Sequence, residues 1–145
     1  MAQFTVISKG HSIRINSVSR VEEFRYQSSE SDTLKSMSAD TIWDTGSSVS
    51  VISERLAAEL HLEPSGVTKI SGIENRPFEA NTYLVNIEFP NGVLAKYTTV
   101  VESPMVLYDL LIGMDVISEG DFVLSHDSGN TVFSFRYPSE GEIKF

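Results

Sequence analysis

The feature that most constrains this chain is an aspartate placed between two apolar stretches. The tripeptide at 44–46 reads Asp-Thr-Gly and lies between the apolar pair at 42–43 and the apolar run at 49–52. Glycine allows the backbone to approach a ligand closely or to adopt a positive φ. The same pattern also fits an ordinary Asx turn at the end of a buried strand. The tripeptide is therefore either a candidate site or a structural turn.

Two further stretches follow in order along the chain. Residues 69–76 read Lys-Ile-Ser-Gly-Ile-Glu-Asn-Arg, which is rich in turn-forming residues. Residues 109–117 read Asp-Leu-Leu-Ile-Gly-Met-Asp-Val-Ile, an apolar strand that ends in glycine shortly before an acid. The order of these elements resembles the retropepsins, the single-domain aspartic proteases of retroviruses and their relatives, over about residues 41–117. The resemblance is closest to the small bacterial members, and it extends to the retropepsin-like domain of eukaryotic ubiquitin-shuttle proteins.

The resemblance implies a role for each residue of the tripeptide. Asp44 matches the catalytic aspartate, Thr45 the threonine that hydrogen-bonds across the dimer axis, and Gly46 the glycine beside the carboxylates. Aspartic proteolysis needs two carboxylates, and this chain has one Asp-Thr-Gly. The resemblance therefore implies a homodimer with one aspartate from each subunit. It implies a peptide or protein substrate and no cofactor.

Other residues match positions that bind substrate in this family. Ser47 follows the tripeptide, and its hydroxyl is expected to donate to the ionised aspartate and lower its pKa. Ser71, Gly72, Ile73 and Glu74 match the flap, a hairpin that closes over the substrate. Glu74 and Asn75 stand where many retroviral flaps carry two glycines, which indicates a stiffer or more polar flap. A plain surface hairpin is the alternative interpretation of this segment.

The second apolar stretch contributes structural residues. Ile112 and Gly113 match the hydrophobic-Gly pair that packs behind the catalytic turn. Met114 replaces an arginine that braces the dimer in retroviral enzymes, so dimer stability must have another source. Asp115 is interpreted as a helix N-cap.

The pattern predicts a mainly β fold, a retropepsin-like acid-protease β-barrel with one or two short helices and one lobe per chain. We expect a single domain over 1–145, with an N-terminal β extension at 1–40, the motif region at 41–117 and a C-terminal hairpin at 121–137. Ser53 is a plausible N-cap of the clearer helix, and Asn91-Gly92 indicates a hairpin turn. Phe133 and Phe135 share one strand face and belong either to a dimer interface or to the core.

Composition excludes several other classes. The chain has no cysteine, and 20 acids against 11 bases give a net charge of −9, which argues against general nucleic-acid binding. No serine-hydrolase elbow, phosphate loop or calcium loop is present. The histidines at 11, 61 and 126 lack metal-like spacing and are interpreted as surface residues, so no metal is expected. No signal peptide or membrane-spanning segment is seen, so we expect a cytoplasmic protein with no membrane partner.

Three functions remain open at this point. The first is an aspartic endopeptidase that works as a homodimer. The second is a retropepsin-fold module that binds peptides or dimerises with little or no proteolysis, which the altered flap and Met114 keep open. The third is a protease that processes mainly itself.

Overall fold

The computed structural model describes residues 2–25, 35–71 and 76–145. The described strands and helices, in chain order, are β1 (Ala2–Lys9), β2 (Ile15–Glu23), β3 (Ser36–Trp43), β4 (Val51–Ser53), α1 (Glu54–Glu59), β5 (Gly66–Ser71), β6 (Pro77–Glu88), a 3₁₀ turn (Pro90–Gly92), β7 (Leu94–Ser103), β8 (Leu110–Ile112), α2 (Met114–Ile117), β9 (Asp121–Asp127) and β10 (Asn130–Tyr137). The fold is mainly β with two short helices, as the sequence predicts.

Six strands close into a barrel. They follow the order β2-β3-β8-β4-β7-β6, and the end of β6 pairs back with β2 through the Arg20–Glu88 to Glu23–Val85 register. Strand β8 lies between β3, to which it is parallel, and β4, to which it is antiparallel. Strand β5 pairs with the first half of β6, so this hairpin extends beyond the closed barrel. Closing the sheet pairs the edges that an open sheet would leave exposed.

A second sheet of three strands, in the order β1-β10-β9, forms from the two ends of the chain. Phe133 and Phe135 on β10 are 2% and 0% exposed, and both rings lie within 5.0 Å (centroid to centroid) of Trp43 at the end of β3. Phe4 and Phe89 complete this aromatic cluster between the barrel and the second sheet. Of the two alternatives for Phe133 and Phe135, the structure shows the core pair.

Several local predictions are confirmed. The Ser53 side chain accepts a hydrogen bond from Leu56 N and caps α1. Asn91 and Gly92 both have positive φ, 60° and 72°, in the turn that joins β6 to β7. The final hairpin is present as β9 and β10. These features depend on residues close together in the sequence, so local chemistry decides them.

The expected role of Asp115 as a helix N-cap is wrong. Helix α2 begins at Met114, and its N-cap is Gly113, two residues before Asp115. Asp115 is the second residue of the helix, where its carboxylate accepts the backbone N–H of Ser50 at 2.9 Å. Asp115 therefore bonds a residue 65 positions earlier in the sequence instead of capping the helix.

Two observations concern metal binding and membrane crossing. His11, His61 and His126 are exposed, as expected, although the segment after β1 and strand β9 bring the rings of His11 and His126 to 5.4 Å. Among the described residues, no group of three or more histidine, aspartate or glutamate side chains is arranged to hold a metal ion. In the same ranges no helix has the length and apolar character needed to cross a bilayer.

Asp121, the first residue of β9, anchors the segment that follows β10. Its carboxylate accepts hydrogen bonds from Ser139 Oγ at 2.6 Å, from Glu140 N at 2.9 Å and from Arg136 Nε at 2.7 Å. The Ser139 hydroxyl bond is the main cause that lowers the pKa of Asp121 to about 2, with the Glu140 N–H and Arg136 adding to it. Ionised Asp121 therefore stabilises the folded state.

This anchor predicts a pH dependence of stability. Because the folded pKa lies below the unfolded value, the contribution is present above about pH 4 and is lost as pH falls toward 2. We expect Asp121→Asn to flatten the fall in the free energy of unfolding across this range, measured by urea unfolding at each pH. Asp127→Asn, at the exposed end of the same strand, is the control and should keep the wild-type slope. Equal slopes for Asp121→Asn and wild type would contradict the prediction.

Candidate active site

Asp44 lies at the end of β3, directly after the buried Trp43. Its backbone N–H donates to Ile112 O at 2.9 Å, which continues the pairing of β3 with β8. Its side chain is half-exposed, and Oδ1 accepts the N–H of Gly46 at 2.8 Å. The turn is therefore an Asx turn in geometry, and it presents a carboxylate at the surface end of a buried strand.

Gly113 occupies the closest approach between β8 and this turn. A Cβ at this position would lie 2.5 Å from Val49 O and 2.9 Å from Ser47 O, so only glycine fits. Ile112, which precedes it, is fully buried. Met114, which follows it, donates its N–H to Ser47 O at 2.7 Å. Ile112 and Gly113 thus lie behind the Asp44 turn, and backbone bonds hold both ends of the turn.

Ser50 connects the far end of the turn to α2. It is 0% exposed, and its Oγ donates to Asp115 Oδ1 at 2.7 Å while accepting the N–H of Gly113 at 3.1 Å. Its own N–H donates to Asp115 Oδ2 at 2.9 Å. We call Ser50, Gly113 and Asp115 the turn clasp, because they join the turn to β8 and α2.

A second polar cluster fixes the loop before β8. The Asp109 carboxylate pairs with Arg55 and accepts the hydroxyl of Ser53 at 3.0 Å. Ser53 N–H donates to Asp109 O at 2.8 Å, and Asp109 N–H donates to Asp40 O at 2.9 Å. The hydrogen bond that Arg55 donates to the Asp109 carboxylate is the main cause that raises the pKa of Arg55. The cluster ties the entry of β8 to β3 and to the start of α1.

Residues 33–119 match the family described as gag-polyprotein putative aspartyl protease. The chain belongs to this family. The matched range contains the Asp44 turn, the hairpin β5–β6 and the Ile112-Gly113 pair, so the resemblance seen in the sequence is confirmed. Comparison with curated proteins gives no match.

The fold is similar to that of a retropepsin-like aspartic protease from Rickettsia conorii, whose crystal structure is solved. The two structures superpose with a TM-score of 0.56 over 93% of this chain and 94% of the other, at 12% sequence identity. At this identity the likeness shows the fold alone. It confirms the predicted retropepsin-like barrel.

Of the residues predicted to form the flap, only the first lies in the described part of this retropepsin-like chain, on the part of the sheet that extends beyond the barrel. Ser71 is the last residue of β5 and pairs with Pro77 of β6. Gly72, Ile73 and Glu74, together with Asn75, lie outside the described residues. In sheet order β5 is separated from β8 by three strands, so the described part of the structure does not bring Ser71 to the Asp44 turn through the sheet.

The expected bond from Ser47 to Asp44 is wrong. The Ser47 hydroxyl donates to Val49 O at 2.7 Å, and the N–H of Gly46 bonds Asp44 Oδ1. The turn brings the Ser47 hydroxyl to the carbonyl of Val49, so the hydroxyl proton is engaged in that bond and is not donated to Asp44.

Sequence reasoning missed Ser50 and the Arg55–Asp109 pair. Ser50 had one signal, because it is the polar residue within the run at 49–52. The Arg55–Asp109 pair spans 54 positions, and a single sequence offers no pattern that joins two charges so far apart.

The close approach at Gly113 predicts a strong effect of a single methyl group. We expect Gly113→Ala to destabilise the fold by about 1–3 kcal/mol, because the Cβ must displace the backbone of Val49 or Ser47. Urea unfolding measures the change. Gly66→Ala is the control, since its Cβ would meet Thr82 Oγ1 at 3.3 Å and the two atoms can separate slightly. A loss at Gly113 no larger than at Gly66 would contradict the prediction.

Proposed function

We propose that this chain is an aspartic endopeptidase that hydrolyses peptide bonds as a homodimer. The observation that carries the proposal is the half-exposed Asp44 carboxylate on a turn held from both sides, in a chain of the aspartyl protease family. Hydrogen bonds to Ile112 O and from Met114 N limit the movement of this turn. A fixed carboxylate is what general acid–base chemistry needs.

The reaction would use two Asp44 side chains, one from each subunit. Two carboxyl groups close together share one proton, because both cannot ionise at once. The ionised one takes a proton from water, the water oxygen attacks the scissile carbonyl carbon, and the protonated one hydrogen-bonds the carbonyl oxygen. Proton transfer to the leaving nitrogen then breaks the C–N bond.

A two-fold axis beside Asp44 would place the exposed part of the turn at the dimer contact. Thr45 and Gly46 are exposed there. Val49 and Met114 are 39% and 37% exposed, and they flank Gly113 on the two segments that approach most closely. An apolar contact through Val49 and Met114 is our proposed replacement for the arginine bracing of retroviral enzymes, since burial of apolar surface drives association.

The substrate would lie between the two Asp44 turns and the two hairpins. We propose that Ser71, Gly72, Ile73 and Glu74 at the end of each hairpin contact the peptide, with Ser47 beside the turn. A hairpin that closes over the peptide excludes water from the reacting groups. The substrate is then held in an extended form between surfaces of the two subunits.

The test is cleavage of an unbiased peptide library from about pH 4 to 7, where a coupled carboxyl pair holds one proton. Below the dissociation constant of the dimer, the rate should rise with nearly the square of protein concentration. Sedimentation at the same concentrations gives the dimer fraction independently. A rate proportional to concentration in a monomeric sample would contradict the dimeric mechanism. A folded dimer that cleaves nothing would indicate the peptide-binding module instead.

A further inference from the structure

We propose that Ser50 and Asp115 are positioning residues that set the orientation of Asp44 through Gly113. This inference rests on the proposed function. The side chains of Ser50 and Asp115 bond each other and the N–H of Gly113, so they would act on Asp44 indirectly. Neither residue is expected to touch the substrate.

The first step is the chemistry of the Ser50 side chain. A serine hydroxyl has one proton to donate and lone pairs to accept with. Here the proton is given to Asp115 Oδ1 at 2.7 Å, so a lone pair is left for the N–H of Gly113 at 3.1 Å. The direction of both bonds is therefore fixed by the acceptor-only character of the carboxylate.

The second step is the fit of Asp115 to Ser50. The two carboxylate oxygens accept the two donors of Ser50, its N–H at 2.9 Å and its hydroxyl. Oδ1 also accepts the N–H of Val116 at 2.9 Å, which fixes the rotamer of Asp115 on α2. An asparagine has one acceptor oxygen, so it cannot accept all three donors: if its oxygen meets Ser50 N–H, its amide nitrogen meets the Ser50 hydroxyl, which must then reverse direction, and the Val116 N–H loses its acceptor.

The third step connects the clasp to the proposed catalytic carboxylate. Gly113 lies between Ile112, whose carbonyl accepts Asp44 N–H at 2.9 Å, and Met114, whose N–H donates to Ser47 O at 2.7 Å. Ser50 accepts the N–H of the peptide between Ile112 and Gly113. The carbonyl of this same peptide accepts Asp44 N–H, and the N–H of the next peptide donates to Ser47 O, so Ser50 holds the backbone that makes both bonds to the turn. Misplacement of a reacting group by about 1 Å can cost about 10²-fold in rate, so a small shift of Gly113 would act on turnover.

The experiment compares Ser50→Ala and Asp115→Asn with wild type in steady-state cleavage. We expect kcat to fall by about 10- to 100-fold with KM unchanged, at a temperature where each variant is folded. Thr131→Val is the matched control. Thr131 on β10 is also a buried hydroxyl that accepts from one backbone N–H (Ser12, 2.9 Å) and donates to a carbonyl (Gly10, 2.8 Å), but both partners lie in the turn between β1 and β2. Its kcat should equal that of wild type.

Amide hydrogen exchange separates this inference from the proposed function. In Ser50→Ala the N–H groups of Asp44 and Met114 should exchange faster than in wild type, whereas in Thr131→Val they should not. This outcome supports the positioning role even if wild type cleaves nothing, in which case the proposed function fails alone. Wild-type kcat in both Ser50→Ala and Asp115→Asn, beside an active wild type, would overturn the positioning role and leave the proposed function standing. Unchanged exchange in Ser50→Ala would overturn it as well.

Discussion

Asp44→Asn is expected to abolish peptide cleavage while leaving the fold and the dimer intact. The amide cannot take a proton from water, so turnover should fall by about 10²- to 10⁴-fold, the contribution typical of a positioned general acid or base. The Asp44 carboxylate accepts the N–H of Gly46 through Oδ1, and an asparagine oxygen can keep that bond. The loss should therefore appear in kcat, measured with the best peptide from the library screen.

Mixing Asp44→Asn with wild type tests whether the two carboxylates come from two chains. Excess mutant converts wild-type homodimers into heterodimers that contain one carboxylate, so the wild-type rate should fall as mutant is added. Ser139→Ala, a substitution on the segment after β10, is the control protein for this mixing experiment. Adding it should leave the total rate unchanged or raise it. Cleavage that persists at a large excess of Asp44→Asn, with heterodimers shown by capture of untagged wild type on affinity-tagged mutant, would contradict the shared site.

The parts of the site that could be predicted from the sequence are those that local chemistry decides. The sequence indicates the Asp44 turn because an acid and a glycine lie between the apolar stretches at 42–43 and 49–52. The Ser53 cap and the Asn91-Gly92 turn follow from side-chain hydrogen bonding and from positive φ at adjacent residues. Each depends on residues within a few positions of one another.

The parts that could not be predicted depend on bonds between distant residues. Asp115 has the spacing of an N-cap, but Gly113, with its extended backbone (φ −99°, ψ −174°), caps α2 two residues earlier, and the Asp115 carboxylate bonds Ser50 instead. Ser47 had the position of a donor to Asp44, but the carbonyl of Val49 is within reach in the folded turn. In both cases the residue type indicates a side chain that forms hydrogen bonds, but the sequence does not indicate which residue it bonds.

The aromatic core illustrates the same limit on a larger scale. The pattern placed Phe133 and Phe135 on one face of a strand but could not say what that face meets. The structure pairs β10 with β1 inside one chain and packs both rings against Trp43. The three-stranded sheet therefore encloses the core behind Asp44, and the residue that links core and site is Trp43.

Trp43→Ala is expected to be the most destabilising single substitution that we predict. Trp43 is 5% exposed, its ring packs against those of Phe89, Phe133 and Phe135 at 4.8–5.0 Å, and its Nε1 donates to Ser17 Oγ at 3.0 Å. Removal of a buried aromatic side chain costs about 3–5 kcal/mol through lost transfer energy and the cavity left behind. Of a total stability of about 5–15 kcal/mol, this is a large share.

The measurement needs a probe other than fluorescence, because Trp43 is the sole tryptophan. Urea unfolding followed by circular dichroism gives the free energy for wild type, Trp43→Ala and Trp43→Phe. The phenylalanine variant keeps a ring in the cluster and should lose clearly less than the alanine variant. Phe78→Ala removes an aromatic ring that is 46% exposed on the hairpin, and it should cost well below the Trp43 value. Equal losses for Phe78→Ala and Trp43→Ala would contradict the placement of the core behind Asp44. If Trp43→Ala lost much of the free energy of unfolding while Asp44 N–H still bonded Ile112 O, the geometry of the site would not depend on the stability of the core.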